Sequence, residues 1–225
     1  MREIAVALGS ETGPLCRLLM KIDLHVHAME RSSCAVSGEE EMIQAAIGRG
    51  LDGLAFADHH RLVSPRRVAE WCNRYAPFRV FNGIEITVSG EDVLVLGLYD
   101  PALETRVWTY PELHGFVRQR GGFVALAHPF RFRDTIAVDI GTYRPDGIEI
   151  RSTNIRAEGE TRIRALAERL DLPLLCNSDA HRAEDVGAYY NVLPRVPRDD
   201  QDLVSVLRDG HHQWCGEMQE GTRSS

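Results

Sequence analysis

No lysine follows Lys21 in this chain, so a carboxylated lysine cannot bridge a pair of metal ions anywhere beyond the first strand. Paired cysteines are also missing. Cys16, Cys34, Cys72, Cys176 and Cys215 are scattered and odd in number, with no C-x-x-C spacing. That pattern argues against a disulfide framework and a thiolate zinc site, and makes a reducing cytoplasm the default compartment. No apolar run approaches the roughly 18 residues of a membrane span. Ile4 to Leu8 follows a single basic residue, Arg2, and is too short for a secretory signal. Basic residues are outnumbered 26 to 33, for a net charge of −7. This argues against a surface that coats nucleic acid and leaves room for a small basic pocket. Repeats and low-complexity blocks are absent.

What is present suffices for one substantial core. With 225 residues and 44% hydrophobic content, a single domain is the simplest organisation. Residues 20–216 are expected to form it. Residues 1–19 read as an extension with no role in the site, and the polar stretch 217–225 as a fraying tail.

Strands and helices alternate through the middle. Ile22–Val26 is β-prone, and a helix is expected from Gly38 to Arg49, with Ser37 and Glu40 as its capping box. Leu51–Ala57 reads as a second strand. Ser64 and Pro65 then open a helix whose Val68, Trp71, Cys72 and Tyr75 recur at i, i+3, i+4 and i+7. Arg79–Thr87 and Val93–Leu98 form a hairpin across Ser89-Gly90-Glu91-Asp92. Thr109 and Glu112 cap a further helix. Phe123–Ala127, Gly147–Ile150, Leu172–Cys176 and Tyr189–Leu193 are strands, with helices around Ile163–Leu170 and Leu203–Leu207. Such alternation implies parallel strands covered by helices.

Polar signatures stand at the ends of these apolar runs. They are Asp23-Leu24-His25-Val26-His27, Asp58-His59-His60, His128-Pro129, and Asn177-Ser178-Asp179-Ala180-His181, with Glu85 and Glu149 closing two others. A (β/α) barrel brings C-terminal strand ends to one rim, whereas an open sheet spreads them along an edge. Convergence of so many ligand types therefore favours a seven-stranded (β/α)7 TIM-like barrel within the α/β class, since the length without residues 1–19 is short for eight repeats. A lone histidine at a strand end is usually structural, which suits His114, His211 and His212. His25, His27, His59, His128 and His181 would all have to converge by chance for that reading to cover them. His60, Asp23 and Asp58 fit supporting positions, with the two aspartates orienting imidazole N–H groups. Glu149 is equally readable as a substrate contact or a structural residue.

The spacing itself carries chemistry. H-x-H on a strand points both rings to one side, and a carboxylate such as Glu85 can bridge two cations. Divalent ions about 4 Å apart can hold a phosphate oxygen and acidify a bridging water. All-nitrogen and oxygen ligation suits zinc, manganese or iron. Arginines follow several signatures: Arg131 and Arg133 after His128, Arg61 after Asp58-His59-His60, Arg151 after Glu149, and Arg182 after His181. Guanidinium forks match phosphate oxygens, with Arg131 the first choice and Arg182 the second.

These motifs, in this order, resemble the PHP (polymerase and histidinol phosphatase) family of metal-dependent phosphoesterases, and the resemblance runs from Lys21 to Gly210. It implies a distorted seven-stranded barrel, up to three divalent metals and hydrolysis of phosphate esters. Carried onto this sequence, it puts His25, His27, Glu85 and Asp179 around one metal. Glu85 bridges to a second, held also by His128, and His59 and His181 hold a third. Glu85, Asp179 and His128 become the catalytic group. Two departures stand out. Ser32 occupies a position where the family often has Asp or His, which favours two metals over three. Asp92 stands where another family ligand is commonly His. The implied substrate is a small phosphomonoester, a nucleotide or a short oligonucleotide. An amidohydrolase-like zinc barrel, or a metal-binding module whose catalysis has lapsed, are the rival readings.

Overall fold

The structure, a computed structural model, describes residues 19–215. The expected tail and all of the expected extension but Leu19 lie outside them. Nine strands form one sheet in the order β7-β6-β5-β4-β3-β2-β1-β8-β9. β1 (Met20–Val26), β2 (Gly53–Phe56) and β3 (Arg79–Val88) run parallel. β4 (Glu91–Leu96) is antiparallel to β3 and to β5 (Phe123–Leu126), after which β6 (Gly147–Arg151) and β7 (Leu174–Cys176) resume the parallel run. β8 (Asn191–Leu193) pairs antiparallel with β1, and β9 (Gln213–Trp214) with β8.

The sheet nearly closes. Val26 pairs in parallel with Ala180 just past β7, and the His27 N–H donates to the Ala180 carbonyl at 2.9 Å. Below that bridge, side-chain amides take over. Asn177 Oδ1 accepts from the Leu24 N–H and from Asn191 Nδ2, while Asn191 Oδ1 accepts from the Cys176 N–H. Among the described residues the sheet is thus mixed, barrel-like and nine-stranded, against the seven strands expected. The antiparallel excursion arises at Ser89-Gly90, where φ values of 53° and 81° make a two-residue turn that sends the chain straight back. The turn is tighter than the four residues expected.

Among the described residues six helices accompany the strands: α1 (Glu39–Gly48), α2 (Pro65–Arg74), α3 (Ala102–Thr105), α4 (Tyr110–Gln119), α5 (Ala157–Leu170) and α6 (Asp200–Arg208). Ser64 Oγ accepts from the Arg67 N–H at the head of α2, and Glu112 accepts from the Thr109 N–H at the head of α4. The cap of α1 differs from expectation by one residue: Glu41 reaches back to the Gly38 N–H. Ser37 Oγ instead accepts from the Ala183 N–H, tying the loop after β1 to the loop after β7.

Side-chain alternation divides each strand between site and core. Phe81, Leu94, Leu96, Phe123, Ala125 and Leu175 form a buried cluster against Leu203, Val204 and Leu207 of α6. Glu85 lies four residues beyond Phe81, and Asp92 two before Leu94, so the same strand faces carry apolar residues at one end and polar ones at the other. Each large apolar side chain buried this way contributes about 1.5–3 kcal/mol, which anchors the strands that present the site.

Candidate metal centre

The polar signatures meet at one end of the sheet. His25 lies on β1 and His27 just past it, with ring centroids 4.9 Å apart, as alternation requires. Glu85 lies on β3, and His59 pairs with it through an isolated parallel bridge. His128 follows β5, Glu149 lies on β6, and Asp179 and His181 follow β7. Three groups have facing ligand atoms within 4.8 Å of one another: His25, Glu85 and His128; His25, His27 and Asp179; His27, His59 and His181.

Glu85 is the hub. Its Oε1 stands 2.9 Å from His128 Nε2, and its Oε2 is 2.8 Å from His59 Nδ1 and 3.5 Å from both His25 Nε2 and His27 Nε2. His25 Nε2 and Glu85 Oε2 are nevertheless buried with no aligned hydrogen-bond partner. A buried polar atom left unpaired costs about 1–3 kcal/mol. These two atoms face each other across a space that a cation would satisfy, so the donor set fits divalent metal.

Charge points the same way. Glu85, Glu149 and Asp179 are all buried here. Burial disfavours a protonated His25, yet Asp179, Glu149 and Glu85 together lift its pKa well above the ordinary imidazole value. Burial would raise Glu85, but His25 and the rings of His128 and His59 hold it well below the usual carboxylate range. Asp179 is lowered against its burial by His25 and His27. His27 runs the other way, pulled down by burial. The pocket demands positive charge, and imidazoles with carboxylates can meet that demand with bound cations.

Supporting contacts fix which ring nitrogen faces inward. Glu149 Oε1 sits 2.9 Å from His25 Nδ1. A carboxylate only accepts, so Nδ1 carries the proton, and in the neutral ring Nε2 keeps its lone pair. Ser32 Oγ donates to Asp58 Oδ1 at 2.7 Å and lies 3.2 Å from His27 Nδ1. With the hydroxyl hydrogen committed to Asp58, His27 Nδ1 must donate. His181 Nδ1 likewise meets the Asp179 carbonyl at 3.0 Å. Asp58 also accepts from Arg31, which reaches on to Glu39. Asp23 binds no ring: it accepts from the Ser178 hydroxyl and from the N–H groups of His25, Ser178 and Gly187. Of the two aspartates expected to orient imidazoles, Asp58 acts through Ser32 and Asp23 shapes the backbone.

Backbone strain concentrates here. His60, His128 and Asp179 adopt φ of 54°, 23° and 54°, a region L-residues seldom occupy outside functional sites. At His60 this turn leaves an exposed residue beside the site, its N–H donating to the Glu85 carbonyl. Asp92 lies at the edge: Oδ2 is 3.9 Å from His128 Nε2, and Oδ1 accepts from Thr87 Oγ1.

The arginines separate. Arg131 Nη1 comes within 4.0 Å of Asp179 Oδ2. Arg61 and Arg182 are exposed beside the signatures they follow. Arg133 turns to Gly90 and Glu91 on the β3–β4 hairpin, and Arg151 is held by Glu160, so neither reaches the cluster. A cavity of about 390 Å³ adjoins Arg131, lined also by Phe130, Asn154, Ile155, Arg156 and Arg162. The Asn154 amide donates to Asp179 Oδ2. Sequence reasoning passed over Asn154 and the hydroxyl role of Ser32, because neither stands in a ligand-like spacing.

A family model described as PHP-associated matches residues 160–211. None of the curated proteins compared matches the chain. Solved structures do. PsfC from Pseudomonas syringae PB-5123 has a TM-score of 0.67 at 23% identity, over 87% of this chain and 91% of that one. A two-domain protein from Bacteroides vulgatus, containing a predicted PHP-like metal-dependent phosphoesterase, has a TM-score of 0.66 at 14% identity, over 87% and 64%. The lesion-specific endonuclease PfuEndoQ from Pyrococcus furiosus has a TM-score of 0.61 at 15% identity, over 88% and 58%. An amidohydrolase from Chromobacterium violaceum shares the fold as well. The PHP-associated match at residues 160–211 thus lies within a fold that this chain shares with PHP-like proteins.

Proposed function

We propose that this chain, as residues 20–216, is a hydrolase that cleaves phosphate esters with the help of two to three divalent metal ions. The observation that carries the reading is the buried His25 Nε2, with no hydrogen-bond partner, facing Glu85 Oε2 at 3.5 Å inside a ring of imidazoles and carboxylates. His25, His27, Glu85, His128 and Asp179 would hold the inner ions. His59 and His181, with His27, would hold an outer one, and Asp92 stands near enough to His128 to adjust it. Such ions, when bound, polarise a phosphoryl oxygen and make water nucleophilic at neutral pH.

The remaining work falls to the chain itself. Arg131, beside Asp179, is placed to pair with phosphate oxygens as they gain charge, and Arg182 and Arg61 lie on neighbouring loops. Arg133 is the weakest of the four, given its contacts with Gly90 and Glu91. The cavity between Phe130 and Ile155 has room for the alcohol part of a small phosphomonoester or for a nucleotide unit. Asn154 orients the Asp179 carboxylate from that side. A carboxylated-lysine mechanism of the amidohydrolase kind has no residue to run on, since no lysine follows Lys21.

The test is elemental analysis of purified protein followed by a substrate panel of mono- and diesters with manganese, zinc or iron. Phosphate release from some member, lost in Asp179→Asn, is the expected result. Stoichiometric metal with no turnover on any ester would instead identify a binding module whose catalysis has lapsed.

A further inference from the structure

Two of the scattered cysteines are neighbours in space. Cys176 closes β7 and Cys215 follows β9, 39 positions later, yet their sulfurs are 3.5 Å apart. Cys176 is fully buried and Cys215 half-buried. One short segment holds both backbones. The Asn191 side chain accepts from the Cys176 N–H and donates to its carbonyl, and the Tyr190 carbonyl accepts from the Cys215 N–H. The Arg151 guanidinium lies 4.6 Å over the Trp214 ring, next in sequence to Cys215. The other described cysteines lack such a neighbour: Cys34 is exposed, and the Cys72 sulfur is engaged with the Val80 backbone.

We propose that Cys176 and Cys215 are an oxidation-sensitive pair that forms a reversible disulfide, fastening the last strand of the sheet to the strand leading into Asp179. The oxidant class is a hydroperoxide. The Cys215 thiolate attacks a peroxide oxygen, forming an S–O bond as the O–O bond breaks, and hydroxide leaves to become water. Cys176 sulfur then attacks the resulting sulfenic acid. An S–S bond forms, the S–O bond breaks, and the Cys176 proton leaves with the departing oxygen as a second water. The sulfurs lose two electrons and the peroxide gains them; a dithiol reverses the change.

The pair is chemically unequal, which assigns the roles. The hydrogen bond between the thiols draws Cys215 down to about 6 against its burial, while the same contact and burial push Cys176 far above its usual value. Cys215 is therefore the thiolate nucleophile at neutral pH, and Cys176 the resolving thiol. The sulfurs must close from 3.5 Å to about 2.05 Å, a movement within reach of side-chain rotation.

The experiment uses the full-length, metal-loaded protein, treated with stoichiometric hydrogen peroxide, alkylated and digested for mass spectrometry. The expected product is a Cys176–Cys215 linked peptide pair, lost on dithiothreitol treatment, with Cys34 and Cys72 recovered alkylated. Oxidised protein should also melt at a higher temperature than reduced protein. Cys215→Ala should abolish both the link and the difference in melting; it alters the less buried partner, so it serves even if Cys176→Ala does not fold. Recovery of Cys215 as a sulfinic acid beside unlinked Cys176, or links formed chiefly through Cys34, would overturn the proposal.

Discussion

The inner and outer halves of the centre are built from the same imidazoles but held by different means. Inside, His25, Glu85, His128 and Asp179 are at most 3% exposed. Carboxylates line and support the site there, since Glu149 binds His25 Nδ1 and the His128 N–H. Outside, the His59 and His181 side chains are 35% and 24% exposed. Their group has no carboxylate of its own; Glu85, shared with the inner half, reaches His59 Nδ1, and the other supports are the Ser32 hydroxyl and the Asp179 carbonyl. Charge-assisted contacts in a water-excluded pocket are stronger than neutral ones near solvent. On the proposed reading, the inner half would retain a cation tightly and the outer half would exchange it.

Removing the residue both halves share should have the largest effect. Glu85 touches His128 and His59 and stands near His25 and His27. Glu85→Gln keeps the volume and deletes the charge, so both halves should lose metal together, and phosphate release should fall by at least about 10³-fold. Metal content after dialysis, measured beside activity, checks this. If the outer equivalent stays while the inner one goes, Glu85 is not the shared residue.

Legibility follows the same division. Ligand candidates announced themselves because H-x-H and Asp-His-His at strand ends are rare spacings, and the strand–helix alternation around them was visible from apolar periodicity and from the Ser64 and Thr109 caps. The supports were hidden. Glu149 is one carboxylate inside an apolar run, and only the curl of the sheet brings β6 against His25. Asp58-His59-His60 offers two adjacent rings, and the left-handed turn at His60 separates them. The strand count differs from expectation for a local reason. The hairpin across Ser89-Gly90 and a strand over Tyr189–Leu193 were legible, but β9, of two residues, is too short for periodicity to mark. Asn177 and Asn191 stitch the gap below the Val26–Ala180 bridge, a pairing that neither the polar signature holding Asn177 nor the expected strand holding Asn191 announces.

Glu149→Gln sharpens the comparison from the inner side. The amide retains an oxygen for the His128 N–H but loses the charge that fixes the His25 tautomer. It also disturbs Asn177, whose Nδ2 donates to Glu149 Oε1 at 2.7 Å. Supports of this kind are worth about 10–100-fold in metal affinity. The upper end of that range is expected here, confined to the tighter equivalent, with substrate KM changed less than kcat. Calorimetric titration of the stripped protein separates the two equivalents. Equal weakening of both would show that Glu149 acts on the fold rather than on His25.

Ser32→Ala is the matching change outside and should be milder. Ser32 Oγ donates to Asp58, and it accepts from His27 Nδ1 and from the His59 N–H, so its loss leaves two donors seeking an acceptor. Arg31 still holds Asp58, and the carboxylate supports of the inner half do not pass through Ser32. The weaker equivalent should therefore loosen by about tenfold, while the tighter one keeps its affinity. His27 belongs to groups on both sides, which makes the outcome discriminating. If the ring is steered chiefly by Asp179, 3.1 Å from its Nε2, the inner equivalent stays intact. If the hydroxyl sets the ring for both halves, both affinities drop together, and the division between a retaining interior and an exchanging rim does not hold.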